Sequence, residues 1–134
     1  MSFEIPWDRL FEAAASVQAR AYAPYSRFPV GAAVMTDDGH IHAGCNVENA
    51  SYGLSACAEQ NAIARAVSDG GRQLVAVAIV ANAAAPCPPC GRCRQIIAEL
   101  GGPQTQVRSR APGGEEACYT AGELLPHAFG REFL

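Results

Sequence analysis

The segment from Leu74 to Ala81 is an uninterrupted run of apolar residues, and it restricts the possible folds of this chain more than any other feature. Polar residues precede the run and a proline-rich stretch follows it. Because the run is far shorter than the ~20 apolar residues that span a bilayer, we expect no membrane helix. Its length and boundaries are typical of a β-strand buried on both faces. We therefore predict that it lies at the centre of a sheet.

The rest of the chain alternates helical and strand patterns around this segment. An Asp-Gly pair between two short apolar runs predicts a hairpin, and glycines end the helical patterns. The predicted helices cover residues 6–21, 57–67 and 90–100, and the predicted strands cover residues 30–35, 41–46, 74–81, 105–108 and 115–119. A capping box from Thr120 to Glu123 predicts a short last helix. The order of elements predicts an α/β fold.

Length and charge limit the functions that fit the chain. Its 134 residues predict a single domain over residues 1–134. All 10 basic residues are arginine, which excludes a Schiff-base lysine and a P-loop lysine. The net charge of −3 argues against tight binding of nucleic acid and favours a small neutral substrate.

The six cysteines are predicted to be thiols or metal ligands rather than disulfides. Acidic residues stand near the N-terminus where a signal peptide would need a basic patch and an apolar stretch, so we expect a cytoplasmic protein. Thiols stay reduced in that compartment. Cys45 and Cys118 lie outside the motifs below, and we expect them to be small apolar fillers.

Three of these cysteines have the spacing of zinc ligands. Cys90 and Cys93 form a C-x-x-C at the start of one predicted helix, and Cys57 begins another. Residues i and i+3 of a helix share a face, so both sulfurs can reach one ion at ~2.3 Å. The unpaired N–H groups of a helix start favour the thiolate form. We predict a zinc site made by Cys57, Cys90 and Cys93.

Cys87 forms an overlapping C-x-x-C with Cys90 and is the competing ligand. The two prolines between them favour a polyproline II conformation, in which three residues advance ~9 Å. Such an offset is too long for comfortable sharing of one tetrahedral ion. Cys93 is therefore preferred, although Cys87 or Cys45 would be the fourth ligand if the site were a closed structural one.

Three protein ligands leave a fourth position for water, which is typical of a catalytic zinc site. Glu59 follows Cys57 by two residues and could act there as general base and then general acid. Three thiolates on Zn²⁺ leave a formal charge of −1, so positive charge is expected nearby. Arg92 and Arg94 are the candidates.

These motifs resemble those of the zinc-dependent cytidine deaminase family. The resemblance includes the metal segments at residues 57–59 and 89–95, and it continues in order through residues 25–33, 44–50, 123–126 and 129–130. It covers most of the chain, and the chain resembles the small, homotetrameric branch of the family. It implies a three-layer α/β/α fold with a mixed sheet of about five strands.

The resemblance also implies roles for individual residues. Cys57, Cys90 and Cys93 would bind Zn²⁺ and Glu59 would move protons. Asn46 and Glu48 would hold the ribose hydroxyls, Phe28 would lie against the pyrimidine, the Ala58 backbone would meet the base carbonyl, and Phe129 would reach the active site of a neighbouring subunit. The implied reaction is hydrolytic: zinc hydroxide attacks C4 of cytosine, Glu59 protonates N3 and then the amino group, and ammonia leaves uridine. Deoxycytidine is expected as a second substrate of this pyrimidine-salvage reaction.

The chain departs from the family pattern at two positions. Gln60 stands where the family often has an arginine that neutralises the thiolates, and we hypothesise that Arg92 substitutes for it because it lies between two ligands. Pro88 replaces a common serine, whose carbonyl alone would be needed to accept a hydrogen bond from the substrate amino group.

Two other functions remain open at this point. One is deamination of another aminopyrimidine nucleoside such as blasticidin S, whose metal segment resembles residues 89–95; the pair Asn46 and Glu48 favours an ordinary sugar. The other is an interaction protein with structural zinc and no turnover. A polynucleotide deaminase would need a basic groove, which the negative net charge disfavours.

Overall fold

The computed structural model describes residues 4–134, which form a five-stranded mixed sheet with helices on both faces. The strands are β1 (Val30–Thr36), β2 (Ile41–Cys45), β3 (Leu74–Ala81), β4 (Gln106–Arg110) and β5 (Glu116–Thr120). The helices are α1 (Trp7–Gln18), α2 (Ala58–Ser68), α3 (Gly91–Leu100) and the short α4 (Ala121–Leu124), and single 3₁₀ turns cover Tyr52–Leu54 and Arg131–Phe133. Within the described residues no helix is both long and apolar enough to cross a membrane.

The apolar run predicted to be central is the middle strand of the sheet. The strand order is β2-β1-β3-β4-β5, and β3 pairs antiparallel with β1 and parallel with β4. β1 and β2 form the predicted Asp-Gly hairpin, and β4 pairs antiparallel with β5. The bounds of β3 agree with the sequence prediction, because an apolar residue at every position leaves neither face of the strand polar.

Helices cover the two faces of the sheet and bury separate apolar clusters. On one face, Leu10 and Phe11 of α1 pack with alanines of β1 and β3. On the other face, Ile63 of α2 and Ile97 of α3 pack with Val77 of β3. The α/β fold with three layers is therefore confirmed.

Close backbone contact brings α2 onto the hairpin. Gly44 of β2 lies directly against Ala62 of α2, and a Cβ atom at this glycine would collide with the Ala62 backbone nitrogen. Because backbone atoms cannot rotate away, only glycine permits this approach. The contact fixes the position of α2, whose N-cap residue is Cys57 and whose first turn contains Glu59.

Two predictions differ from the structure. Helix α1 ends at Gln18 rather than residue 21, because Arg20 and Ala21 donate to carbonyls three residues back in a tightened turn. Cys118 was expected to be a buried filler, but it is exposed on β5; Cys45 is partly buried. Cys118 lies on β5, the strand at one end of the strand order β2-β1-β3-β4-β5.

Candidate metal centre and active site

Three cysteine sulfurs meet where α2 and α3 begin. Cys57 is the N-cap residue of α2, Cys90 is the N-cap residue of α3, and Cys93 lies in the first turn of α3. Their Sγ atoms all lie within 4.8 Å of one another, and those of Cys57 and Cys90 are 3.6 Å apart. Cys87 is outside this group of thiols in the described part of the chain.

The spacing of these sulfurs fits a tetrahedral zinc ion. With Zn–S bonds of ~2.3 Å and tetrahedral angles, neighbouring sulfurs lie about 3.8 Å apart. The sulfurs of Cys57 and Cys90 are within a few tenths of an ångström of that spacing. Cys93 is buried, Cys57 is partly buried and Cys90 is exposed, so the group opens to the surface on one side. Three thiols can hold the ion and leave its fourth position open.

Of the three thiols, the one of Cys57 loses its proton more easily than an ordinary cysteine does. Hydrogen bonds with Cys93 and Cys90 and the positive charge of Arg92 lower the pKa of Cys57 to about 6, against the opposing effect of burial. The proton is retained at Cys93, whose pKa the hydrogen bond with Cys57 raises. The N-terminal end of each helix adds a favourable field for negative sulfur. The electrostatics of the site therefore favour the binding of a cation.

Glu59 is a buried carboxyl group beside these thiols. Its exposed fraction is only 5%, so it does not point into bulk solvent. Burial, the largest cause, and the charge of Cys57 raise the pKa of Glu59 to about 7, and a hydrogen bond with Cys93 opposes this shift. A carboxyl group with a pKa near neutrality can both accept and donate a proton. The position suits a proton carrier next to a metal-activated water.

Arg92 brings positive charge to the segment that contains Cys57. Its Nη1 donates to the carbonyl oxygen of Ser55 at 2.8 Å and lies 3.5 Å from Oε1 of Gln60. The other candidate, Arg94, donates instead to backbone carbonyls before α3 and in α4, at 2.9 and 3.0 Å. Of the two arginines, Arg92 is therefore the one that reaches the residues flanking Cys57 on both sides.

The Asn46 side chain fastens the segment before β1. Its Oδ1 accepts from the Val30 N–H at 2.8 Å, and its Nδ2 donates to the Phe28 carbonyl at 2.9 Å. The amide retains one donor and one acceptor site for a further partner. Phe28 itself is partly buried.

Glu48 is bound to the turn at Tyr25 and Ser26. Its Oε1 accepts from the N–H groups of Tyr25 at 2.9 Å and Ser26 at 3.1 Å, and its Oε2 accepts from the Ser26 hydroxyl. These bonds lower the pKa of Glu48 below its usual value, the Ser26 hydroxyl having the largest effect. Since a carboxylate has about four lone-pair sites, one on Oε2 remains available.

A two-sided backbone bridge joins this segment to the cysteine group. Val47 and Ala56 exchange N–H···O bonds of 3.0 and 2.9 Å, and Ala56 directly precedes Cys57. Glu48 and Cys57 therefore each directly follow one of the two residues of this bridge. An open depression of about 330 Å³ adjoins the bridge, lined by Tyr25, Ser26, Glu48, Tyr52 and Ser55.

The remaining two predicted site residues occupy different environments. Ala58 is buried as the first residue of α2, next to Cys57. Phe129 is 59% exposed and stacks on Phe133 with ring centroids 5.6 Å apart, while its carbonyl accepts from Gln95. The structure does not bring the Phe129 ring into the cysteine group of its own chain.

Sequence reasoning missed Ser26. The Ser26 hydroxyl accepts the N–H of Phe28, two residues further along, which is a local turn motif of serine. A serine within the turn segment was the sequence signal for this bond. Its contact with Glu48 spans 22 positions and leaves no comparable pattern in the sequence.

Fold and site together define an α/β metalloprotein with an open three-thiol centre beside a buried carboxyl group. The family model of the cytidine and deoxycytidylate deaminase zinc-binding region matches residues 6–108. The chain belongs to this family, which confirms the resemblance seen in its motifs and the prediction of Zn²⁺ as cofactor.

Individual relatives match over nearly their whole length. A cytidine deaminase of Halalkalibacterium halodurans is 50% identical over 119 residues, which are 87% of this chain and 90% of the relative. One from Mycobacterium tuberculosis is 44% identical over 98% of this chain and 95% of its own. The crystal structure of a cytidine deaminase from Burkholderia pseudomallei superposes with a TM-score of 0.89 at 46% identity and covers 93% of this chain and 100% of that chain.

Proposed function

We propose that this protein is a zinc-dependent hydrolase that deaminates cytidine and deoxycytidine to uridine and deoxyuridine with release of ammonia. The observation that carries the proposal is the buried Glu59 beside three thiols whose spacing fits one open zinc site. The 43–50% identity to cytidine deaminases over most of the chain favours this reaction over the deamination of other aminopyrimidines and over a zinc site without turnover.

In this proposal Cys57, Cys90 and Cys93 hold the ion. Bound Zn²⁺ supplies Lewis acidity, which lowers the pKa of a coordinated water to ~7. Glu59 accepts a proton from the water that attacks C4 of the base and donates it to N3. It then accepts the second proton, from the hydroxyl now bonded to C4, and transfers it to the amino group, so that the C4–N bond breaks, ammonia leaves and a C4 carbonyl remains. The pKa of about 7 suits a carboxyl group that must both accept and return a proton near neutral pH.

The remaining residues orient the nucleoside. Asn46 and Glu48 use their spare hydrogen-bonding sites for the ribose hydroxyls, and Phe28 packs against the pyrimidine. The backbone of Ala58 meets the base carbonyl. The Val47–Ala56 bridge supports this arrangement because it sets the distance between the ribose contacts and the cysteine group.

We further propose that the chain acts as one domain in a cytoplasmic homotetramer that serves pyrimidine salvage. The exposed Phe129 ring is available to enter the active site of a neighbouring subunit, which would make the sites interfacial. The net charge of −3 fits a free nucleoside rather than a polynucleotide substrate.

The test is ammonia release from purified protein with cytidine, deoxycytidine and cytosine, in wild type and in Glu59→Ala. We expect turnover of both nucleosides by wild type and a decrease of about 10²-fold to 10⁴-fold in Glu59→Ala, because general acid–base catalysis contributes that much. Zinc content measured on the same samples should be unchanged. Full activity in Glu59→Ala would overturn the proton-transfer role.

A further inference from the structure

The Ser26 hydroxyl connects two residues that the proposed function assigns to different parts of the substrate. It donates to Oε2 of Glu48 and accepts the backbone N–H of Phe28 at 3.0 Å. Ser26 also gives its own N–H to Oε1 of Glu48 at 3.1 Å. One side chain is thus bonded to the proposed ribose ligand and to the backbone of the residue proposed to pack on the base.

We propose that Ser26 is a positioning residue, whose hydroxyl locks the Glu48 carboxylate and the Phe28 backbone into one arrangement and thereby sets nucleoside affinity. This inference rests on the proposed function. It adds to that function a residue that contacts neither the reacting atoms nor the metal.

The orientation of the carboxylate depends on this hydroxyl. Oε1 of Glu48 is held by two backbone N–H groups, which fix one oxygen and leave the carboxylate plane free to turn about it. The Ser26 hydroxyl holds Oε2 and so removes that freedom. Since the only spare lone pair of Glu48 is on Oε2, its direction toward a ribose hydroxyl is set by Ser26.

The backbone of the turn also needs these bonds. Arg27, between Ser26 and Phe28, has a φ of 56°. This left-handed conformation is unfavourable for residues other than glycine. Such a residue persists only where its surroundings hold it. Here the Arg27 N–H donates to the Ala23 carbonyl at 2.9 Å, the Phe28 N–H donates to the Ser26 hydroxyl, and the Ser26 N–H donates to Glu48, so the conformation is held at Arg27 and on both sides of it.

The contacts of Ser26 contribute little to the core of the protein. Ser26, Tyr25 and Glu48 are exposed or partly exposed and line the open depression of about 330 Å³. An exposed hydrogen bond to a carboxylate adds little to global stability, because solvent competes with it. The expected effect of losing the hydroxyl is therefore on binding in the depression rather than on folding.

The first experiment compares steady-state kinetics of zinc-loaded Ser26→Ala, Ser26→Thr and wild type with cytidine. We expect KM to rise about tenfold in Ser26→Ala with kcat changed by less than about threefold, since a hydrogen bond to a charged group is lost outside the reacting centre. Ser26→Thr keeps the hydroxyl and should restore KM to within about threefold of wild type. Ser16→Ala is the matched control, because it removes an exposed hydroxyl bonded to a carbonyl in α1.

A second experiment measures the bridge without turnover. In NMR titration of the zinc-loaded protein with labelled carboxyl groups, the pKa of Glu48 should rise toward its usual value in Ser26→Ala and stay low in Ser26→Thr and Ser16→Ala. In a Glu48→Ala background, Ser26→Ala should raise KM less than it does in wild type, since the partner is already gone.

The outcomes separate the two proposals. An unchanged KM in Ser26→Ala, an equal loss in Ser26→Thr, or additive effects with Glu48→Ala would each overturn the positioning role. An unchanged Glu48 pKa in Ser26→Ala would overturn the bridge itself. Absence of cytidine turnover in wild type would instead contradict the proposed function, while the titration still reports on the contact.

Discussion

The negative charge of the cysteine group is offset by the positive charge of a single side chain, and the two residues concerned belong to different helices. Cys57 is the thiol whose pKa falls to about 6, and Arg92 is the cationic side chain that contributes to that shift from α3. The guanidinium is anchored to Ser55 and lies near Gln60, so its charge is held over the segment that flanks Cys57. A variant at one of these positions should therefore change metal affinity before it changes the fold.

Replacing Arg92 by alanine should weaken zinc binding by about 10-fold to 100-fold, the usual range for residues that support metal ligands. The physical reason is the loss of the positive charge that offsets three thiolates on a divalent ion. Zinc affinity measured by competition with a chromophoric chelator checks this. Arg92→Lys should retain part of the affinity, and Gln60→Arg should rescue Arg92→Ala, because the two side chains reach the same place. Unchanged affinity in Arg92→Ala would contradict the hypothesis.

Single substitutions also test whether Cys87 or Cys93 binds zinc together with Cys90. Cys93→Ser should lose most of the bound zinc, since a ligand within the 4.8 Å group is replaced by a poor one. Cys87→Ser should retain one zinc per chain, because Cys87 lies outside the group. Elemental analysis after dialysis measures both. Loss of zinc in Cys87→Ser would contradict the proposed ligand set.

At the scale of elements, α2 is placed by its contact with the hairpin. Gly44 of β2 lets the Ala62 backbone approach closely, and the start of the same helix supplies Cys57 and Glu59. The position of Cys57 and Glu59 is thus set by packing at a point several residues further along α2. Stability and metal binding should respond together to a change at this contact.

Gly44→Ala should lower the free energy of unfolding by about 1–3 kcal/mol, the usual cost of overpacking a well-packed site. Zinc affinity should decrease as well, because α2 must move to accept the methyl group. Denaturant unfolding and chelator competition check the two effects. Gly113→Ala is the control, since its added Cβ would meet no atom within 4 Å. Equal stability of Gly44→Ala and Gly113→Ala would rule out the packing argument.

Features within one helix, strand or turn could be predicted from the sequence, whereas contacts between distant segments could not. Apolar periodicity and the Asp-Gly turn sufficed for the strands, and the capping box at Thr120 and Glu123 was found in α4. The C-x-x-C spacing sufficed to bring Cys90 and Cys93 together, because helical geometry is local. The contact of Ser26 with Glu48 depends on how two distant loops meet, and no local periodicity encodes that.

At the scale of the whole molecule, several large apolar side chains remain on the surface of the isolated chain. Tyr52, Leu54 and Phe133 are exposed along with Phe129. Exposed apolar side chains that lie together, as the stacked rings of Phe129 and Phe133 do, mark interaction surfaces in proteins. This supports the proposed homotetramer, in which such side chains would be covered.

Subunit mixing tests whether the proposed active sites are shared. Glu59→Ala and Phe129→Ala chains with different tags should each have low activity alone, and co-expressed hybrids should exceed the mean of the two. Some sites would then combine an intact Glu59 with the Phe129 of a neighbour. Co-expression of Glu59→Ala with Cys57→Ser is the control, because one subunit supplies both residues. No gain in the first hybrid would contradict shared sites.

The convergence of α2 and α3 at Cys57 and Cys90 has a consequence for how the protein tolerates metal depletion. Two helix starts carry partial positive charge and repel each other when brought together. Three thiolates around one zinc ion would carry a formal charge of −1 between them and turn that repulsion into attraction, so the ion and its ligands would hold the two helix starts together. Removal of the ion by a chelator, or oxidation of the thiols, would therefore weaken the contact between α2 and α3 as well as abolish activity. A chain without zinc should then be cleaved by proteases near this contact earlier than the zinc-bound protein.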